Sequence, residues 1–265
     1  MKGTQSLADY VDALQQGARY SFTRNEVESV LGLAPESLTK ALQRLHRNGR
    51  IHRLRRGFYA ITPLEYRSSG MIPLDWYIED LMRFLGVPYY VGVLSAAALH
   101  GAGHQQPQEH HVVVPTTIRP VRTPVLRIRF FRKVACEQTQ IESVRGFSGW
   151  IPVSTRGATV MDCIRFASTI GGLDAVLTVL DELCATMTSD DLLDAARHEP
   201  DISIVQRAGW LLEQIADPAL LRGMHDWLRG RKVYRTRLDV REPARGYSSD
   251  RRWHVIVNSN PESEA

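Results

Sequence analysis

Residues 35–61 read PESLTKALQRLHRNGRIHRLRRGFYAI, and the helical part of this stretch has two unlike faces. At about 100° per residue, Leu38, Ala41, Leu42 and Leu45 fall within roughly 50° of one direction, a stripe for burial. Lys40, Gln43, Arg44 and Arg47 point the other way, with Ser37 and Thr39 on the N-terminal flanks. Pro35 suits a first helical turn, and Gly49 marks the end of a helix over 36–48. Ile51–Leu54 and Phe58–Ile61 then flank Arg55-Arg56-Gly57, which reads as a hairpin whose glycine supplies a positive φ. From Lys40 to Arg56 there are seven Lys or Arg and no Asp or Glu. A solvated helix face normally mixes signs for i,i+4 pairing, so an all-basic face points to an anionic partner.

Working outward, Thr23 and Glu26 form a capping box ahead of a helix that turns Val27, Val30 and Leu31 inward and stops at Gly32. Ser6–Gln16 carries Leu7, Tyr10, Val11 and Leu14 on one stripe. The order is helix, helix, tight turn, helix, hairpin, which predicts a winged helix-turn-helix over residues 1–62. In that arrangement Ser37, Thr39, Lys40, Gln43, Arg44 and Arg47 face the major groove, where Arg pairs with guanine and Gln with adenine. Arg53, Arg55 and Arg56 of the wing then grip phosphates.

The charge of the whole chain hides this. Across 265 residues the formal net charge is only +4, but residues 1–62 hold ten Lys/Arg against five Asp/Glu. Residues 63–228 hold 14 against 19, and residues 229–265 hold nine against five. Two basic ends flank an acidic middle, and such asymmetry bears on partners. Arginine makes up 29 of the 33 basic residues; its planar fork suits phosphate and guanine, although a GC-rich genome produces the same skew.

Residues 63–70 (PLEYRSSG) read as a linker. Residues 71–265 follow as a larger α+β unit with enough length for its own core. A helix is expected from Pro73, with Leu74, Ile78, Leu81 and Leu85 on one face, and an alanine-rich helix near Val91–His100. Strands are expected at Val112–Pro115, Leu126–Phe131 and Trp150–Val153. Helices follow at Ala158–Ser168, Leu173–Ala185, Ser189–Arg197, Val205–Ile215 and Ala219–Arg229, then closing strands at Tyr234–Val240 and Trp253–Asn258. Alternation in Tyr234–Val240 places Tyr234, Thr236, Leu238 and Val240 on one face and Arg235 and Arg237 on the other. Arg231, Lys232, Arg235, Arg237 and Arg241 then form either a second nucleic-acid surface or a polar sheet face.

Other classes are poorly supported. No apolar run reaches the roughly 18–20 residues of a membrane span, and the N-terminus has no apolar signal region. Cys136, Cys163 and Cys184 are an odd number without C-x-x-C spacing, which fits reduced thiols in a cytoplasmic protein. No Gly-Ser dipeptide, P-loop or G-x-S-x-G elbow occurs, and no acid stands two before any lysine, so no catalytic residues are assigned. His100, His104, His110 and His111 read as loop or capping residues, because Gly101 and Gly103 interrupt the helix that would align the first pair. No metal or cofactor is expected. The five tryptophans, on apolar stripes or strands, are expected in the core.

Ser37 to Leu45, Gly49-Arg50-Ile51 and Leu54-Arg55-Arg56-Gly57-Phe58-Tyr59-Ala60 together resemble the N-terminal domain of AbiEi-type antitoxins of abortive-infection type IV toxin–antitoxin systems. The resemblance continues through Tyr90 to Gly101, Val153-Ser154-Thr155, Gly171 to Val176, Arg207-Ala208-Gly209-Trp210-Leu211-Leu212-Glu213 and Arg252-Trp253. It implies a phage-defence repressor that binds inverted repeats in double-stranded DNA of its own promoter. It also implies a second domain that counters a cognate nucleotidyltransferase toxin without a stable complex, through RNA if the two share a target. The alternative is a stand-alone winged-helix regulator whose second domain senses a ligand or dimerises.

Overall fold

The computed structural model describes residues 6–66, 71–102 and 108–262. In the N-terminal unit, α1 (Leu7–Gln16) starts from a Ser6 capping box completed by Asp9. Strand β1 (Ser21–Thr23) leads into α2 (Arg24–Leu31), whose Thr23–Glu26 box is formed as expected. After Gly32, in the left-handed region at φ +58°, comes α3 (Pro35–Arg47), with its proline in the first turn. Strands β2 (Ile51–Arg55) and β3 (Phe58–Ile61) make the wing, and Gly57 takes φ +87° between them.

Leu38, Leu42 and Leu45 of α3 pack against Leu7, Val11, Phe22, Val27, Ile51 and Ile61 in one small core. Val30, expected inward, is exposed. Strand β1, too short to announce itself by periodicity, pairs antiparallel with β3 and makes a three-stranded sheet in the order β1-β3-β2. This is the winged helix-turn-helix that the patterning predicts.

The C-terminal unit opens differently from the expected helix at Pro73. Leu74–Trp76 form one 3-10 turn and α4 (Ile78–Leu85) starts after it. Tyr77 takes φ −145° at the break and buries its ring, which spoils a continuous helix. There follow β4 (Tyr90–Val91), α5 (Val93–Leu99), β5 (His110–Val114), β6 (Val121–Thr123), β7 (Leu126–Arg132), β8 (Ile141–Arg145) and β9 (Trp150–Ser154). Then come α6 (Arg156–Arg165), α7 (Leu173–Cys184), α8 (Ser189–His198), α9 (Ile202–Leu212), α10 (Pro218–Arg229), β10 (Thr236–Arg237) and β11 (Val255–Ile256).

Six strands form a mixed sheet in the order β6-β7-β5-β4-β9-β8, parallel at β5/β7 and β4/β9 and antiparallel elsewhere. Alternation divides its residues between two cores. Tyr90, Val113 and Phe131 face the helices α5 to α10, while Val91, Val112, Val114 and Ile128 face α4. Both faces are covered, which is why Val112, Val113 and Val114 of β5 are all apolar instead of alternating with polar residues. A buried ion pair, Lys133 Nζ to Asp162 Oδ1 at 2.9 Å, ties the end of β7 to α6. Tyr90 donates to the other oxygen of Asp162 at 2.8 Å.

The second core also contains Leu54, Phe58 and Ala60 of the wing. One wing face therefore packs on the larger domain, and Ser21 Oγ donates to Asp80 Oδ2 at 2.6 Å across the same junction. Of the expected linker, Leu64–Tyr66 form a 3-10 turn and residues 67–70 lie outside the described residues.

Candidate nucleic-acid interface

Helix α3 presents its basic side outward because its leucines hold the opposite side in the core. Ser37, Lys40, Gln43, Arg44 and Arg47 are all exposed, and among the described residues no carboxylate pairs with the three cations. Thr39 is different. Its hydroxyl donates to Pro35 O at 2.7 Å and accepts from Arg24 Nη2 at 3.2 Å, which stitches α2 to α3. Arg24 is itself held by Glu28 at 2.7 Å. Thr39 thus sets the angle between the two helices and has its hydroxyl committed inside the turn.

The wing cations divide in the same way. Arg53 and Arg56 are exposed, at the outer side of β2 and in the hairpin turn. Arg55 is half-buried and turned toward the larger domain: it donates to Leu54 O at 3.0 Å and to the carbonyl of Arg119, and lies over the Phe130 ring at 5.5 Å. A bulge between Arg53 and Arg55 separates their directions. Arg55 therefore joins the wing to the larger domain, where its hairpin position alone suggested a phosphate contact. Arg50 is likewise neutralised, by Asp12. Five of the seven cations remain outward, without a carboxylate partner among the described residues: Lys40, Arg44, Arg47, Arg53 and Arg56.

The C-terminal basic stretch is not the alternating strand expected from Tyr234–Val240. Only Thr236 and Arg237 pair, in parallel with Val255 and Ile256. Of the residues placed inward, Leu238 is buried and Thr236 half-buried, but Tyr234 is 72% exposed and Val240 46%. Arg241 chelates Asp239 at 2.9 and 3.2 Å, which holds the Asp239 carboxyl below its usual range. Arg237 donates to Glu242 O at 3.1 Å. Arg231 stacks on Trp227 at 3.9 Å and Lys232 lies 5.6 Å over the Tyr234 ring. Arg235 is exposed, with no carboxylate partner among the described residues.

Trp253 is fully buried and three other tryptophans are half-buried, but Trp150 is 62% exposed at the β8–β9 edge, contrary to a core position. The described histidines of the 100–111 group serve separate roles. His100 Nε2 meets Ser154 O at 2.7 Å, His110 Nε2 meets Ile72 O at 3.1 Å, and His111 packs edge-on to Phe131. His104 lies outside the described residues. No group of metal-ligating side chains occurs among the described residues, and no described helix is long and apolar enough to cross a membrane.

A winged helix-turn-helix with an outward basic recognition helix, joined to a larger α+β domain, defines a DNA-binding regulator class. Residues 10–62 match the family model described as transcriptional regulator, AbiEi antitoxin, and residues 90–214 match the AbiEi antitoxin C-terminal domain. The chain belongs to the AbiEi antitoxin family. No curated protein matches it. Among solved structures, the RV2827C protein from Mycobacterium tuberculosis shares the fold, with a TM-score of 0.65 at 18% identity. The alignment covers 94% of this chain and 90% of that one.

Proposed function

We propose that the chain is the antitoxin of a type IV toxin–antitoxin system, which represses its own promoter and counters a nucleotidyltransferase toxin without a stable complex. The observation that carries the DNA part is the α3 face. Lys40, Gln43, Arg44 and Arg47 stand outward without carboxylate partners among the described residues, while the leucines of the same helix are buried. Ser37 flanks this face at the helix start, and Arg53 and Arg56 extend it to the wing.

Neutralisation belongs to the C-terminal domain on this reading, in the reducing interior of the cell. The exposed Arg231, Lys232 and Arg235, with Trp227 and Tyr234 beside them, are the surface offered to an RNA shared with the toxin. Cation–aromatic pairs of this kind stack on single-stranded bases. Charge reversal at Arg235 should reduce rescue of toxin-expressing cells and leave the melting temperature unchanged; full rescue would return the stretch to a solvated surface.

The DNA reading is tested by titrating the full chain against the duplex upstream of its gene over a range of salt. Four outward cations of the winged helix that each neutralise one phosphate (Lys40, Arg47, Arg53 and Arg56), with Arg44 kept for a base, contribute about −3.6 to the slope of log K against log salt. Sequence-selective binding with a slope of at least that magnitude supports the reading. Binding that ignores salt, or no preference for the upstream duplex over a scrambled one, overturns it.

A further inference from the structure

The β6–β7 hairpin carries cations that the protein leaves unneutralised. Arg122 and Arg127 stand directly opposite each other in the antiparallel register. Like charges in that position repel, and a hairpin gains nothing in stability from the pair. Both are exposed, and neither has a carboxylate partner among the described residues. Arg119, just before β6, is exposed as well. Two neighbouring cations are treated differently: Arg129 pairs with Glu109 at 2.6 Å, and Lys133 with buried Asp162 at 2.9 Å. From His110 to Cys136 the chain has six Lys or Arg and no Asp or Glu. Arg122, Thr123, Arg127 and Arg129 line an open hollow of about 670 Å³, with Glu109 the single acid on its wall among the described residues.

The position of the hairpin says which anion it meets. The outer strand of the wing, β2, runs beside β6, the outer strand of the large sheet. Arg55 clamps the two together by donating to the carbonyl of Arg119 and lying over Phe130. The hairpin therefore lies beside the wing, with exposed Arg122 and Arg127 on the element next to the one that carries exposed Arg53 and Arg56. Duplex DNA presents one phosphate charge per ~1.7 Å of axis, so a duplex held by the wing carries further phosphates past this edge. The planar guanidinium fork fits a phosphate through two parallel hydrogen bonds.

We propose that the β6–β7 hairpin is a phosphate clamp through which the C-terminal domain extends the DNA contact of the winged helix, with Arg122 and Arg127 as its contacts. This rests on the DNA-binding reading above. Arg55 acts as a positioning residue that fixes the clamp relative to the wing.

The test uses the full chain and three double variants: Arg122→Ala with Arg127→Ala, Arg122→Lys with Arg127→Lys, and Arg53→Ala with Arg56→Ala. Each is titrated by fluorescence anisotropy against the upstream duplex, a scrambled duplex and a single-stranded RNA, at several salt concentrations, beside thermal melts. The hairpin alanine variant should lose about 1.8 from the magnitude of the salt slope, two phosphates at roughly 0.9 each. Its affinity deficit should then shrink about tenfold between 50 and 200 mM salt. Its preference for the upstream over the scrambled duplex should not change, its melting temperature should hold or rise, and the lysine variant should keep the wild-type slope.

An unchanged slope in the hairpin alanine variant, with a reduced slope in the wing variant, overturns the clamp and leaves the winged-helix reading standing. Wild-type protein that does not bind duplex at all overturns both. A hairpin variant that loses RNA binding and keeps its duplex slope overturns the clamp in favour of RNA.

Discussion

Gly209 lies where a helix meets a tryptophan ring. A Cβ built there would stand 2.0–2.3 Å from three ring carbons of Trp253. Trp253 is fully buried and donates its indole N–H to Glu213 at 2.7 Å, and Glu213 also pairs with Arg252. One contact thus joins the Arg207–Glu213 stretch to Arg252-Trp253, two pieces of the family pattern far apart in sequence. Gly209→Ala should overpack this site and cost about 3 kcal/mol. Urea unfolding should show a lower midpoint at unchanged m, and a wild-type midpoint would refute the packing argument. His111 makes a second residue-scale prediction. Burial, with help from Arg129 and His110, pushes its pKa down to about 4, and its Nδ1 is buried without a partner among the described residues. An unfolded histidine takes its proton near pH 6.5, so between about 6.5 and 4 the unfolded state binds a proton that the native state does not. Stability from neutral His111 is complete above about pH 6.5 and is lost as pH falls toward 4, by up to about 3 kcal/mol. Stability measured from pH 7 to 4.5 should fall less steeply in His111→Leu than in wild type; parallel curves would assign the acid sensitivity elsewhere.

At the scale of elements, helix α3 and the wing divide the work of binding. Replacing Arg44 or Gln43 by Ala should remove a base contact and relax sequence preference by about 1–3 kcal/mol. The double change at Arg53 and Arg56 should weaken all sequences alike. Competition binding against single-base operator variants checks this, and equal losses on every sequence for Arg44→Ala would place Arg44 on the backbone. The same seven cations that looked equivalent along the sequence are not equivalent in the fold. Arg50 spends its charge on Asp12, and Arg55 lies in the domain junction. A hairpin's alternation says which residues leave the sheet plane together, but a bulge at Arg53/Arg55 changes the direction of one of them. The closing strand failed for a related reason. Alternation over Tyr234–Val240 requires a neighbour along its whole length, and β11 pairs only with Thr236 and Arg237, with one further hydrogen bond from Leu238 N–H to Ile256 O at 3.0 Å.

For the whole molecule, the shared core decides how separable the two activities are. The composition of residues 63–70 suggests a free tether between independent domains, with a fragment from Met71 that folds and neutralises without repressing. Yet Leu54, Phe58 and Ala60 pack with Tyr77, Ile78 and Val121 of the larger domain. Cutting at Met71 uncovers that apolar face. The fragment should melt below the full chain and bind a hydrophobic dye, while still rescuing toxin-expressing cells if antitoxicity resides there. A fragment as stable as the full chain would show that the wing contributes no stability to its neighbour.

Local physics was enough for much of this. Capping boxes at Thr23 and Ser6, the left-handed stop at Gly32, the first-turn proline of α3 and the turn at Gly57 depend on residues within a few positions of one another, so the sequence determines them directly. The leucine stripe determines in turn which face of α3 is left outside, and Lys40, Gln43, Arg44 and Arg47 follow. Strands β1, β6 and β8 were not legible. β1 and β6 have three residues each, and β8 lies on the sheet edge with a mostly exposed pattern, so hydrogen bonds to a partner define them more than periodicity does. The packing of the wing on the large sheet, the turning away of Arg55, the Arg122–Arg127 pair and the fit of Trp253 against Gly209 were decided by tertiary structure alone. Each depends on segments distant along the chain, or on strand register, whose meeting depends on how two cores fill space.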